Sequence, residues 1–186
     1  MKSGRILIIG NGGTGKSTLS ERLGKEYDIP VTHLDLLSWK DNYIRTDENV
    51  FKEELLNKMK SERMIIEGWA YHSTMKERLE WSDIIIYLKY PLEYCLKTVF
   101  ERNSLYNYKS YPFDPFTGDR VAKNDLYREA VERVHYKYEP EVRNWLKEFE
   151  DSEKCIYTFE SIDELNENYN LIAQKIHEQL KLSENG

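Results

Sequence analysis

Read for its apolar positions, the chain alternates short continuous apolar runs with stretches whose apolar residues recur every three or four positions. Residues 6–9 (ILII) form an unbroken run stopped by glycine, the pattern of a strand covered on both faces. Residues 16–27 place Leu19 and Leu23 four apart on one helical face. Residues 29–33 read as a second strand. Residues 47–60 carry Phe51, Leu55, Leu56 and Met59 at helical spacing, with Thr46 or Asp47 as the cap. Residues 64–66 and 84–88 are a third and a fourth strand. Pro91 opens a helix toward Arg102, where its fixed φ and missing N–H cost nothing. Residues 155–159 make a fifth strand. Ser161 and Glu164 then form a capping box ahead of a helix with Leu165, Tyr169, Ile172 and Ile176 on its inner face. Strands separated by helices imply right-handed crossovers, so the expected fold is α/β: three layers, a five-stranded parallel sheet with helices on both faces. The 186 residues suit one domain, and no repeat or linker divides them. One stretch breaks the alternation. Residues 103–124 are rich in Tyr, Pro, Asp and Gly and keep neither period, which predicts a short lid insertion.

Charge and composition narrow the function classes. The net charge is −6 and the pI about 5.4, so no basic field exists to neutralise a run of phosphates and nucleic acid is not an expected partner. No apolar run reaches the ~18 residues that span a bilayer. The N-terminal apolar stretch runs straight into glycines and reads as a buried strand rather than a signal peptide. Cys95 and Cys155 show no metal-ligand spacing and read as buried reduced thiols, which places the chain in the cytoplasm.

The strongest motif follows the first strand. Gly10, Asn11, Gly12, Gly13, Thr14, Gly15, Lys16 and Ser17 satisfy GxxxxGK(S/T), with Thr18 continuing into the helix. Glycines let the backbone curl so that successive N–H groups point at phosphate oxygens, and the helix start adds its dipole. Lys16 is suited to the β- and γ-phosphates and the Ser17 hydroxyl to Mg²⁺. The expected ligands are ATP, or another purine triphosphate, and Mg²⁺. No NKxD-like base-reading tetrad appears and the chain is short for a motor, so GTPase and motor readings recede.

Ligands of a parallel sheet gather beyond the carboxyl ends of its strands, and two acids stand there. Asp35 follows the second strand. Glu67 ends the third. Either carboxylate can hold a Mg²⁺-bound water or accept a proton from an attacking hydroxyl, and Glu67 is assigned the water. His33 alternates away from its neighbours and reads as packing. Arginines over the γ-phosphate are the remaining need of phosphoryl transfer. The candidates are Arg102 before the aperiodic stretch, with Arg120, Arg128 and Arg133 in or after it. Arg102 and Arg133 flank it on both sides. Trp39, Tyr43 and Trp69 suggest an acceptor with a flat or apolar face, and Arg45 a partner for an anionic group on it.

On these residues the chain resembles the P-loop small-molecule kinases of the adenylate-kinase and shikimate-kinase group. The landmarks are the phosphate loop, His33-Leu34-Asp35, Ile65-Ile66-Glu67-Gly68 and the run 84–91 that enters the next helix. Within that group it is most similar to bacterial DNA topology modulation proteins, which are adenylate-kinase-like. Asp114-Pro-Phe-Thr-Gly118 is similar to the lid turn of adenylate kinases, and Asp125 to Arg133 keeps the spacing of their post-lid acid and arginine. The resemblance implies that Arg133 touches the transferred phosphoryl group. Gly68-Trp69-Ala70-Tyr71 stands where adenylate kinases carry Gly-x-Pro-Arg, which points away from an AMP acceptor. The function expected is transfer of the γ-phosphoryl of ATP to a small acceptor, a nucleoside monophosphate or hydroxylated metabolite, by a monomer or homodimer. The alternative is a nucleotide-sensing regulator with little kinase activity.

Overall fold

The computed structural model describes residues 4–40, 44–105 and 120–184. Five strands, β1 (Gly4–Gly10), β2 (Val31–His33), β3 (Arg63–Glu67), β4 (Ile84–Leu88) and β5 (Cys155–Phe159), pair in the order β2-β3-β1-β4-β5. All four pairings are parallel. The helices are α1 (Lys16–Tyr27), α2 (Leu34–Ser38), α3 (Glu48–Lys58), α4 (Met75–Trp81), α5 (Leu92–Leu105), α6 (Arg120–Arg133), α7 (Glu139–Lys147), α8 (Ile162–Glu167) and α9 (Tyr169–Glu184). A π-helical turn, Val134–Tyr138, joins α6 to α7. Among the described residues no helix is long and apolar enough to cross a membrane.

The continuous apolar run of β1 explains the three layers. Successive side chains of a strand face opposite ways. Ile6 and Ile8 meet Leu19 and Leu23 of α1, Val99 of α5 and Ile172 and Ile176 of α9. Leu7 and Ile9 meet Phe51 and Leu55 of α3, Met75 and Leu79 of α4 and Val142 and Leu146 of α7. All four β1 residues are fully buried, each contributing about 1.5–3 kcal/mol of hydrophobic stabilisation. The expected three-layer α/β fold with a five-stranded parallel sheet is therefore present.

Local signals hold with small shifts. The Asp47 carboxylate accepts from Asn49 N at 2.9 Å and caps α3. Ser161 Oγ accepts from Glu164 N at 3.1 Å, while Glu164 answers Glu160 N, one residue earlier than a standard capping box predicts. β2 starts at Val31 rather than residue 29. Pro30 has no N–H to give a ladder, although its carbonyl accepts from Ile65 N at 2.9 Å. Helix also enters both ends of the aperiodic stretch, since α5 runs to Leu105 and α6 begins at Arg120; residues 106–119, the centre of the expected lid, lie outside the described residues. Both cysteines are free. Cys95 is buried as expected, but Cys155 is only half-buried.

Candidate active site

The phosphate loop leaves β1 at Gly10, whose neighbour across the sheet is Leu88 of β4. Gly13 (φ 80°) and Gly15 (φ 82°) adopt the left-handed conformation that glycine alone reaches freely. Their surroundings differ. A Cβ on Gly13 would stand 2.9 Å from the Cys95 carbonyl and 3.1 Å from the Thr98 side chain, so the loop is pressed beneath the first turns of α5. A Cβ on Gly15 would meet nothing within 4 Å. That open side is where phosphate oxygens can approach the backbone.

Asn11, 1% exposed, organises the loop. Its Nδ2 donates to the Val131 carbonyl of α6 at 2.9 Å and its Oδ1 accepts from Gly12 N at 2.7 Å. Its own carbonyl accepts from Thr14 Oγ1 at 2.9 Å and from Lys16 Nζ at 2.8 Å. Lys16 is thus folded over the loop, and Thr18 lies exposed in the first turn of α1.

The acid at the end of β3 joins this loop through sheet register. His33 of β2 and Glu67 of β3 are direct partners, so their side chains emerge on the same face. Glu67 is 3% exposed. Its Oε1 accepts from the Ser17 hydroxyl at 3.1 Å and lies 2.6 Å from His33 Nδ1. The bond to Glu67 raises the His33 pKa above its ordinary value, against the opposing effect of burial. His33, read from the sequence as packing, is corrected to a partner of the central carboxylate.

Asp35, the second residue of α2, gathers the rest. Its side chain is exposed to solvent, yet protein is packed densely around its carboxylate. That crowding, then the charge of Glu67, pushes its carboxyl above the usual range, while Lys16, Arg102 and Arg45 pull it back. Each of these charges acts on Asp35, so the fold brings Lys16, Glu67 and Arg102 around it. Arg45 is stacked on Tyr71, its guanidinium carbon 4.3 Å from the ring centroid, and on Trp39 at 5.2 Å. Trp39 and Arg45 also pair as an antiparallel bridge.

Other candidates stand elsewhere. Arg133 is exposed at the last position of α6, two residues beyond Val131. Two helical residues turn about 200°, so it leaves the helix on the side away from the phosphate loop. Arg128 covers the Phe100 ring at 5.1 Å. Trp69 is buried in the core beside His72, with ring centroids 6.1 Å apart, so it gives no face to an acceptor; Tyr71 supplies one instead. Tyr43 and the side chain of Arg120 lie outside the described residues.

Sequence reading missed Arg78 altogether. It is fully buried, and its guanidinium donates to the carbonyls of Gly68 (2.9 Å), Trp69 (2.8 Å) and Thr74 (3.2 Å). Burial lowers its pKa to about 9. It holds the loop after Glu67, where Gly68 (φ 119°) and Ala70 (φ 51°) take left-handed backbone. The available signal was spacing: Arg78 lies three residues after Met75 and three before Trp81, on the face of α4 that its apolar residues bury.

The donors suit Mg²⁺. Ser17 Oγ and the Glu67 carboxylate are hard oxygens 3.1 Å apart beside the open face of Gly15. Mg²⁺ is held in nucleotide sites by few protein oxygens, phosphates and water, and the described residues contain no cage of three or more His, Cys, Asp or Glu.

Comparison with solved structures supports the fold. The chain is similar to a gluconokinase from Sinorhizobium meliloti 1021, with TM-score 0.51 and 14% identity over 99% of this chain and 95% of that one. It is similar also to shikimate kinase from Bacteroides thetaiotaomicron, with TM-score 0.53 and 15% identity over 93% of this chain and 98% of that one. At such identities the likeness is one of fold. No family model matches the sequence, and no curated protein matches it.

Proposed function

We propose that this chain is a kinase that uses Mg-ATP to phosphorylate a hydroxyl of a small acceptor. The observation that carries the reading is the company of Asp35. A carboxylate with a raised proton affinity, just beyond the carboxyl end of β2, lies within electrostatic reach of the phosphate-loop Lys16 and of two arginines. A regulator that only senses nucleotide has no need of that arrangement.

Each group then has a role. Backbone N–H groups of residues 10–17, with Lys16, receive the β- and γ-phosphates. Ser17 and, through water, Glu67 would hold Mg²⁺, which neutralises phosphate charge when bound. His33 keeps Glu67 oriented. Asp35 takes the proton of the acceptor hydroxyl as that oxygen attacks the γ-phosphorus, and the bond from phosphorus to the bridging oxygen of ADP breaks. Arg102 meets charge on the transferred group, with the stretch 103–124 acting as a lid; Arg133, which leaves α6 on the side away from the phosphate loop, takes no part in this step. Arg45, braced by Tyr71 and Trp39, meets an anionic group of the acceptor. A hydroxylated acid fits this better than AMP, because the loop 68–71 has no arginine.

The test is a coupled ADP-release assay over nucleoside monophosphates and hydroxylated acids, gluconate and shikimate included, with ATP and GTP as donors. Acceptor-dependent ADP release is expected. Mg-ATP binding with no turnover on any acceptor would favour the nucleotide-sensing regulator, and the likeness to topology modulation proteins would then deserve the next assay.

A further inference from the structure

We infer that the chain carries a second ligand site, a pocket for a small oxyanion walled by Lys89, Tyr90, His135, Glu139, Arg143 and Glu160. It is a cavity of about 200 Å³ at the carboxyl ends of β4 and β5, beneath the start of α7. None of the phosphate-loop residues, Asp35 or Glu67 lines it. The first turn of α5 divides the two sites. Pro91 faces this pocket, and the Cys95 carbonyl presses on Gly13 of the loop.

The pocket is built from buried polar groups. Tyr90 and Glu139 are each 2% exposed, and both end in an atom, Tyr90 Oη and Glu139 Oε1, that has no hydrogen-bond partner. Buried polar atoms in this condition are costly and rare, and a ligand that engages both removes the cost. The Tyr90 ring is fixed edge-on against Tyr94, centroids 5.3 Å apart, so its hydroxyl has little freedom to look elsewhere. His135 Nδ1 lies 3.2 Å from Glu139 Oε2 without the alignment of a hydrogen bond.

Charge selects the ligand. Lys89 Nζ is held by Glu160 Oε1 at 2.7 Å, so this pair adds no net charge. Arg143 remains as a cation in the wall. Glu139 is faced by His135 from the π-helical turn, by Arg143 on its own helix, by Tyr87 of β4 and Lys89 just beyond it, and by Cys95 from α5. Burial pushes its carboxyl up to about 7, with Arg143 and Lys89 pulling it down. Protonated, Glu139 becomes a donor. Arg143, the Tyr90 hydroxyl and the Glu139 acid then present donors around one positive charge, the complement of a carboxylate or phosphate group. A metal ion is a poor fit, since the described residues form no cluster of three or more metal-ligating side chains.

The experiment uses the full chain carrying Lys16→Ala, which weakens anion binding at the phosphate loop, while the Arg143 and Tyr90 variants report on the pocket itself. Acetate and inorganic phosphate are titrated separately, with Tyr90 and His135 signals followed by NMR. Saturable binding of at least one probe is expected, and which one binds identifies the carboxylate or phosphate source. Arg143→Met should weaken it about tenfold or more. Acetate, ionised throughout, should bind roughly tenfold tighter at pH 6 than at pH 8 if it is the ligand, because protonated Glu139 favours it. Glu139→Gln should keep the binding and remove that pH dependence. Tyr90→Phe, which deletes only the hydroxyl, gives a second reading should another variant fold poorly. Binding of neither probe, or binding indifferent to both Arg143→Met and Tyr90→Phe, would overturn the assignment.

Discussion

Glu67 serves two neighbours with one oxygen. Ser17 and His33 both reach Oε1, so the carboxylate is fixed by the phosphate-loop helix on one side and the adjacent strand on the other. Function at this scale should separate by residue. Lys16→Ala is expected to abolish measurable Mg-ATP binding in calorimetry with the fold intact. Asp35→Asn should retain that binding yet lower turnover by roughly 10²-fold or more, the range for loss of a general base. Equal effects on binding in the two variants would contradict the division of roles. Glu139 offers a stability test of its own. Its folded pKa stands above the ordinary carboxyl value, so the folded state binds more protons than the unfolded one between the two values. Its stabilising contribution is complete below the unfolded pKa and is lost as pH rises toward about 7, at most about 3 kcal/mol. Urea denaturation of Glu139→Gln should show less decline between pH 5 and 8 than the parent chain. The phosphate loop was legible in the sequence because its ligand groups are eight consecutive backbone units. The His33–Glu67 bond was not, being set by register between strands 34 positions apart. Arg78 was hidden for a related reason: a buried arginine is readable only once the carbonyls it satisfies are known.

Elements tell the same story with different physics. The strands were visible because burial on both faces demands unbroken apolar runs. Helices α2 and α4, of 5 and 7 residues, span two turns or fewer, too short for a 3.6-residue period to declare itself. Where α5 sits on the phosphate loop, two glycines give a clean contrast. Gly13→Ala combines left-handed strain of about 1–2 kcal/mol with a methyl driven against the Cys95 carbonyl, adding about 1–3 kcal/mol of overpacking. Gly15→Ala has the strain without the collision, so it should destabilise less in thermal denaturation. Its methyl enters the open side of the loop instead, and nucleotide affinity should fall more than stability does. A reversed order would mean that α5 does not clamp the loop as described.

At the scale of the whole molecule, β1 occupies the centre of the sheet with β3 on one side and β4 on the other, and the phosphate loop emerges where the chain changes direction. A ligand bound there and absent from the unfolded chain stabilises by mass action. Mg-ATP at about 100 times its Kd should add about 2.7 kcal/mol and raise Tm by roughly 5–11 °C. Scanning fluorimetry showing no shift at such concentrations would remove the nucleotide from the account. The central position of β1 has a further consequence during synthesis. Its apolar residues 6–9 leave the ribosome well ahead of the strand that closes its second edge, which ends at Leu88, about 80 residues later. At about 5–20 residues per second, translation leaves that edge uncovered for roughly 4–16 s. A nascent chain with a bare, hydrophobic, unpaired strand is an aggregation hazard and a target for chaperones. Ribosome-bound chains arrested before β4 has emerged should therefore be more open to protease, and more avid for a holdase, than chains arrested after it.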